Sequence, residues 1–214
     1  MKKLAIFDFD GTLFNSVDDV VICFNKALAI HNFPTLTFEE YIERLGGNID
    51  EIISLILKDQ NTAENIELIK ETYNGIYSES SKENTLPFPE VKEVLESLQE
   101  KGTLLAINSN RTTPSIEHFV GQYFSDIRFE SIEGHNPAYP SKPNPCGVER
   151  IRRNLKVSKE DSIYIGDSSK DIETAKNAEI DCIIVNWGYG NQDDYESDYP
   201  LQIIERPSQI LKYF

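Results

Sequence analysis

Two aspartates one residue apart, Asp8 and Asp10, close the apolar run Leu4-Ala5-Ile6-Phe7 and open onto Gly11-Thr12. Side chains alternate along an extended backbone, so both carboxylates are expected on one side of it. Two anions held that close repel and raise each other's pKa unless a cation lies between them. A hard divalent ion bound through oxygen, Mg²⁺ above all, meets that need. Gly11 permits a sharp turn out of the strand, and Thr12 adds a hydroxyl and a backbone N–H. The plainer alternative is a turn without a ligand, since so short a motif recurs by chance.

Three more segments bear on the choice. Thr103-Leu104-Leu105-Ala106-Ile107 reads as a buried strand ending in Asn108-Ser109-Asn110-Arg111. Ser162-Ile163-Tyr164-Ile165 reads as another, ending in Gly166-Asp167-Ser168-Ser169-Lys170-Asp171. Between them Lys142 stands in a proline-stiffened loop, Ser141-Lys142-Pro143-Asn144-Pro145. Open α/β sheets bind ligands beyond the carboxyl ends of their parallel strands. Carboxylates, a hydroxyl, an amide and an ammonium are thus expected to converge on one site, a set suited to a metal and a phosphate together.

In these residues the chain resembles the haloacid dehalogenase superfamily, specifically its phosphoglycolate-phosphatase-like branch. Asp8-Phe9-Asp10-Gly11-Thr12-Leu13 is similar to the first family motif and Ser109-Asn110 to the second. Lys142-Pro143 with Pro145 is similar to the third, and Gly166-Asp167-Ser168 with Asp171 to the fourth. Phe88-Pro89-Glu90-Val91 and Trp187-Gly188-Tyr189-Gly190 resemble flanking features of that branch, whereas Asn15 stands where the family often has Asp.

The resemblance implies roles. Asp8 would be the nucleophile that forms an aspartyl-phosphate, and Asp10 the general acid–base. Mg²⁺ would be held by the Asp8 carboxylate, the Asp10 main-chain carbonyl and Asp167, with Asp171 behind them. Lys142 would neutralise phosphate and nucleophile, while Ser109 and the Asn110 backbone would bind phosphate oxygens. Ser109 and Asn110 could also simply cap a following helix. Arg111 faces either the substrate or the solvent, and the sequence leaves both open.

Composition narrows the partners. A formal net charge of -15 argues against nucleic acid and anionic membrane, both of which call for basic patches. No stretch is long and apolar enough to span a bilayer, and the N-terminus lacks a signal-like apolar region. Cys23, Cys146 and Cys182 show no paired spacing, and His31, His118 and His135 show no ligand spacing. A cytoplasmic enzyme, monomer or homodimer, acting on a small phosphorylated metabolite is expected. Asp193 to Asp198 reads as a solvated acidic loop.

The elements that must position these residues follow from periodicity. Residues 1–14 and 87–214 are expected to form a Rossmann-like α/β core, a parallel sheet with helices on both faces. Residues 15–86 are expected to form a small all-helical cap. Val17, Val20, Val21, Phe24 and Leu28 recur at helical spacing, and helical patterns continue over 38–57 and 63–80 with breaks near Gly46-Gly47 and Asn61-Thr62. Pro89 is expected to start a helix that Gly102 ends. A short strand or turn over 201–204 and a terminal helix over 208–214 close the chain. In the cap, Arg44 and Gly47 are candidates for substrate specificity, with Gly46 and Asn48 beside them. A surface arginine at a helix break is the plainer reading and carries slightly more weight.

Function classes then order themselves. First stands a Mg²⁺-dependent phosphatase for phosphoglycolate, a sugar phosphate or a nucleoside monophosphate. A β-phosphoglucomutase-like isomerase shares the motifs, but that group usually has a histidine twelve residues after the nucleophile, where this chain has Val20. Dehalogenase relatives lack the second aspartate. A non-catalytic binding protein on the same fold need not retain Asp8, Asp10, Lys142 and Asp167 together.

Overall fold

A computed structural model describes all 214 residues. In chain order its elements are β1 (Leu4–Phe7), β2 (Phe14–Asn15), α1 (Val17–Ile30), α2 (Phe38–Ile42), α3 (Ile49–Leu57), α4 (Ala63–Glu79), β3 (Leu86–Pro87), α5 (Val91–Glu100), β4 (Leu104–Thr112), α6 (Thr113–Tyr123), β5 (Phe129–His135), α7 (Cys146–Leu155), β6 (Ser162–Gly166), α8 (Ser169–Ala178), β7 (Asp181–Val185), α9 (Gln192–Tyr195) and β8 (Gln202–Ile204). 3₁₀ helices occupy Lys58–Gln60 and Pro207–Tyr213. Two compact units result, Met1–Phe14 with Pro87–Phe214, and Asn15–Leu86.

The first unit is built on a six-stranded sheet in the order β5-β4-β1-β6-β7-β8, and its strand pairs are parallel. β1 is buried on both faces, which is why it reads as an unbroken apolar run rather than an alternation. Ala5 and Phe7 join one core with Val94 and Leu98 of α5 and Phe119 of α6. Leu4 and Ile6 join the opposite core with Val148 and Ile151 of α7 and Ala175 of α8. Helices therefore cover both faces of the sheet.

β1 lies between β4 and β6, with Phe7 opposite Ile107 on one side and Ile165 on the other. The next residues along, Asp8, Asn108 and Gly166, accordingly stand at one level across the three strands. This register brings segments distant in sequence to the same edge.

The second unit is helical apart from its two end residues, Asn15 and Leu86, which belong to β2 and β3. α1 and α4 pack through a ring stack, Phe24 on Tyr73 at 3.9 Å between centroids, with the Tyr41 ring 5.8 Å from Phe24. Buried Asp19 accepts from Asn84 N and Nδ2, each at 3.0 Å, and from Thr85 Oγ1 at 2.7 Å, tying α1 to the end of the unit. The helical patterns over 38–57 and 63–80 resolve into α2, α3 and α4, and the Gly46-Gly47 break falls between α2 and α3.

Several boundaries differ from expectation. α5 starts at Val91 behind a left-handed Glu90 (φ 64), two residues after Pro89. β4 runs on to Thr112, so Ser109 and Asn110 belong to a strand and α6 is capped from Thr112. The acidic 191–198 segment contains α9, whose capping box buries Asp194 to 5% exposure, so it is more than a solvated loop. The closing turn over Pro207–Tyr213 is 3₁₀ rather than α. No helix is long and apolar enough to cross a membrane.

Candidate active site

Asp8, Asp167 and Asp171 are all buried, and one carboxylate oxygen from each lies within 4.8 Å of the others. β1 delivers Asp8, β6 delivers Asp167, and the first turn of α8 delivers Asp171. Lys142 enters from the loop before α7: its Nζ is 2.8 Å from Asp8 Oδ1 and 2.7 Å from Asp171 Oδ1. The approach to Asp8 is close but not well aligned as a hydrogen bond. That to Asp171 is a proper one.

Charge balance in this pocket is uneven. Burial, then the negative charge of Asp171, pushes the Asp8 carboxyl up to about 7, against the opposing pull of Lys142. Burial, then Asp171 and Asp8, push Asp167 well above the ordinary carboxylate range. Burial would depress Lys142, but Asp171 and Asp8 overcome it and hold the ammonium firmly charged. One cation faces three acids.

Asp171 has little left to offer a ligand. Its Oδ1 takes the Lys142 ammonium, and its Oδ2 accepts from the N–H groups of Asp167 (3.1 Å) and Ser168 (3.2 Å) and the Ser168 hydroxyl (3.3 Å). Asp167 is held by the Tyr189 N–H on Oδ2 at 2.7 Å. The loop after β7 makes this approach because Gly188 has no side chain; a Cβ there would run into Gly11 O and the Asp167 Cβ. Gly11, at φ +82, is likewise pressed against the Asp167 carboxylate, so both constraints converge on that one acid. The donor set fits a hard dication such as Mg²⁺: buried carboxylates in excess of their counter-charge, oriented by backbone donors.

Asp10 has a different cationic partner. Its carboxylate accepts from Arg111 Nε at 3.1 Å on both oxygens and from Nη2 at 2.6 Å on Oδ1. Among the influences on Asp8, Asp10 comes last. The anionic crowd anticipated from Asp8 and Asp10 is instead made by Asp8, Asp167 and Asp171, and Asp10 has its own cation. Of the two orientations left open for Arg111, the solvent-facing one does not hold; its side chain is 9% exposed.

Ser109 is buried and its hydroxyl accepts from the Arg111 N–H at 3.2 Å. The Asn110 side chain grips the lysine loop, accepting from Lys142 N at 2.9 Å and donating to Lys142 O at 3.3 Å. The sequence assigns Asn110 a backbone contact to phosphate or a helix cap, not this clamp, for which an amide near a rigid loop is the sole signal. Tyr164 was also missed; its hydroxyl donates to Asn108 O at 2.9 Å and its ring lies 6.0 Å from Lys142 Nζ.

Arg44 and Gly47 lie in the second unit. Arg44 folds back onto α2, donating to Glu40 O, with Glu43 Oε2 at 3.7 Å. A Cβ on Gly47 would stand 2.5 Å from the Glu51 carboxylate, which caps α3 at Asn48. Arg44 is only 16% exposed, so it is not the surface arginine of the plainer reading, while the Gly46-Gly47 break does fall at a helix boundary.

A parallel Rossmann-like sheet with acids, an ammonium and a hydroxyl gathered at the ends of its central strands defines an α/β enzyme core. Residues 5–185 match the family model for haloacid dehalogenase-like hydrolases, and the chain belongs to that family. It is 27% identical to the phosphoglycolate phosphatase of Vibrio parahaemolyticus, over 98% of this chain and 95% of that one. With the phosphoglycolate phosphatase of Mannheimia succiniciproducens it shares 29%, over 98% and 97%. Among solved structures, a predicted phosphoglycolate phosphatase from Haemophilus somnus superposes with a TM-score of 0.89 at 25% identity, covering 99% of this chain and 97% of that one. A haloacid dehalogenase-like hydrolase from Streptococcus pneumoniae gives 0.87 at 21%, covering 100% and 98%, a likeness of fold. The chain is a hydrolase of the phosphoglycolate-phosphatase-like kind.

Proposed function

We propose that this protein is a Mg²⁺-dependent phosphatase that hydrolyses a small phosphomonoester, with phosphoglycolate the first candidate, through an aspartyl-phosphate on Asp8. The observation that carries the reading is the buried Asp8 carboxylate beside Lys142, with Asp167 across from it. The names of the relatives support the substrate class. A sugar phosphate or nucleoside monophosphate is the alternative within that class.

An Asp8 oxygen attacks phosphorus, and the bond from phosphorus to the ester oxygen breaks. Asp10 gives that oxygen its proton. Asp10 then takes a proton from water, whose oxygen attacks phosphorus and breaks the bond to Asp8, releasing phosphate and restoring the carboxylate. Lys142 offsets the charge gathered on the phosphoryl oxygens, and Ser109 and the Asn110 N–H donate to them. Mg²⁺, held by Asp8, the Asp10 carbonyl and Asp167, would supply charge neutralisation and orientation of the phosphate. Asp171 fixes Lys142 and the turn bearing Asp167. The helical unit 15–86 is assigned to substrate selection, and a cytoplasmic location is part of the same proposal.

The test is hydrolysis of phosphoglycolate and of 4-nitrophenyl phosphate with and without Mg²⁺. Activity is expected to need the metal and to vanish in Asp8→Asn. Turnover in EDTA at the full rate would reject the metal assignment. Incubation with β-glucose 1-phosphate separates the isomerase: glucose 6-phosphate without free phosphate would replace this reading. Val20, at the position where mutases carry a histidine, favours hydrolysis.

A further inference from the structure

We propose that Arg111 is a positioning residue for Asp10, a fixed guanidinium post that aims the acid–base carboxylate at the ester oxygen. This rests on the reading of Asp10 as the acid–base group. Nε and Nη2 of Arg111 engage both Asp10 oxygens at 2.6 to 3.1 Å, the planar fork that fixes a carboxylate in orientation as well as distance.

The arginine is the anchored partner. Nη1 donates to the Ser115 hydroxyl at 3.0 Å, in the first turn of α6. Its guanidinium carbon lies 5.3 Å from the Phe9 ring centroid and 5.7 Å from that of Phe119. Ser115 and Phe119 stand one helical turn apart, so one face of α6 holds the guanidinium on two sides. Phe9, the neighbour of Asp10 in the chain, holds a third. Exposure agrees: the Arg111 side chain is 9% exposed and that of Asp10 is 32%. A buried post restrains a carboxylate that keeps access to the site. Asp8 and Asp10 are thereby served by separate cations, Lys142 and Arg111, and the charge of Arg111 is spent on the enzyme's own acid rather than on substrate recognition.

The experiment compares kcat/KM for phenyl phosphate and 4-nitrophenyl phosphate, two esters of similar shape. Phenoxide departs far less readily than 4-nitrophenoxide, so the first ester depends on a well-placed proton and the second much less. Arg111→Met, which preserves length and contact with the aromatic rings, is expected to lower the phenyl to 4-nitrophenyl ratio at least about 30-fold, within the range of general acid catalysis. Arg111→Lys keeps the charge without the fork and should restore part of the ratio. Ser115→Ala should shift it less, in the same direction, and serves also if Arg111→Met does not fold. Equal losses on both esters, or an equal rise in KM alone, would overturn the proposal in favour of a structural or substrate-binding arginine. Asp10→Asn is the control: if it leaves the ratio unchanged, the acid–base reading itself fails; if it lowers the ratio and the Arg111 and Ser115 variants do not, only the role of Arg111 fails.

Discussion

Lys142 Nζ and Asp171 Oδ1 meet at 2.7 Å with side-chain exposures of 4% and 0%. Neither charge could stand there alone, because a buried ion without its partner is strongly destabilising. The pair is also an anchor: Asp171 receives two backbone N–H groups from the turn that carries Asp167. Replacing Lys142 by Met should therefore cost about 3–5 kcal/mol of unfolding free energy without added metal, besides abolishing turnover. Urea unfolding in EDTA measures it, and a loss below about 1 kcal/mol would contradict the charge balance drawn for this pocket.

Proton and metal compete for Asp8. Its carboxyl is raised from 3.8 to about 7, by burial first and Asp171 second. A carboxyl whose folded pKa is raised binds its proton more tightly in the native state. In metal-free protein its contribution to stability is thus lost as pH climbs from about 4 to about 7. A cation replaces the proton only once it has left. The rise in melting temperature caused by Mg²⁺ should be larger at pH 8 than at pH 5.5. A shift of equal size at both values would disprove the competition.

Gly188 leaves room for the Tyr189 N–H to reach Asp167. Gly188→Ala would push that loop away and release one carboxylate oxygen from its donor. Loss of such an orienting partner typically weakens metal binding 10–100-fold. Isothermal titration with Mg²⁺ should register a change of about that size in Gly188→Ala, alongside a lower melting temperature in EDTA from the clash with the Gly11 backbone. Unchanged affinity would show that the loop does not orient Asp167.

Within the helical unit, the Tyr41 hydroxyl is fully buried and has no hydrogen-bond partner, and burial pushes its pKa well up. Removing an unsatisfied polar group relieves a desolvation cost of about 1–3 kcal/mol. Tyr41→Phe should be neutral or stabilising, keeping the ring stack on Phe24. Asp19→Ala should act the opposite way, stranding the donors of Asn84 and Thr85 at a cost of several kcal/mol. Chemical denaturation of both variants decides the matter; a clear destabilisation by Tyr41→Phe would imply an unseen partner for the hydroxyl.

The sequence marked the position of the site better than its forces. Apolar runs ending in polar residues located β1, β4 and β6, because strands buried on both faces leave little room for other patterns. β5 went unread: its residues Phe129 to His135 are only half-buried and carry Glu, Ser and Gly, so neither alternation nor a solid run appears. Asp8 and Asp10 looked like mutually repelling anions, yet the bidentate grip of Arg111 on Asp10 crosses 101 positions, a pairing that no local pattern announces. The clamp of Asn110 on Lys142 escaped for the same reason. Helix ends were legible to within two residues, the two-residue offset at Pro89 arising from Glu90, whose left-handed conformation has no signature in residue type.

Leu4 pairs with Leu104 on one side and Ser162 on the other. A strand at the middle of the sheet is thus synthesised first and must wait for both its neighbours. During translation Asp8 leaves the ribosome long before Lys142 and Asp167 exist, so no truncated nascent chain can gather the acids without their ammonium. Assembly of the sheet and assembly of the chemistry become one late event, slowed by the long loops to be closed.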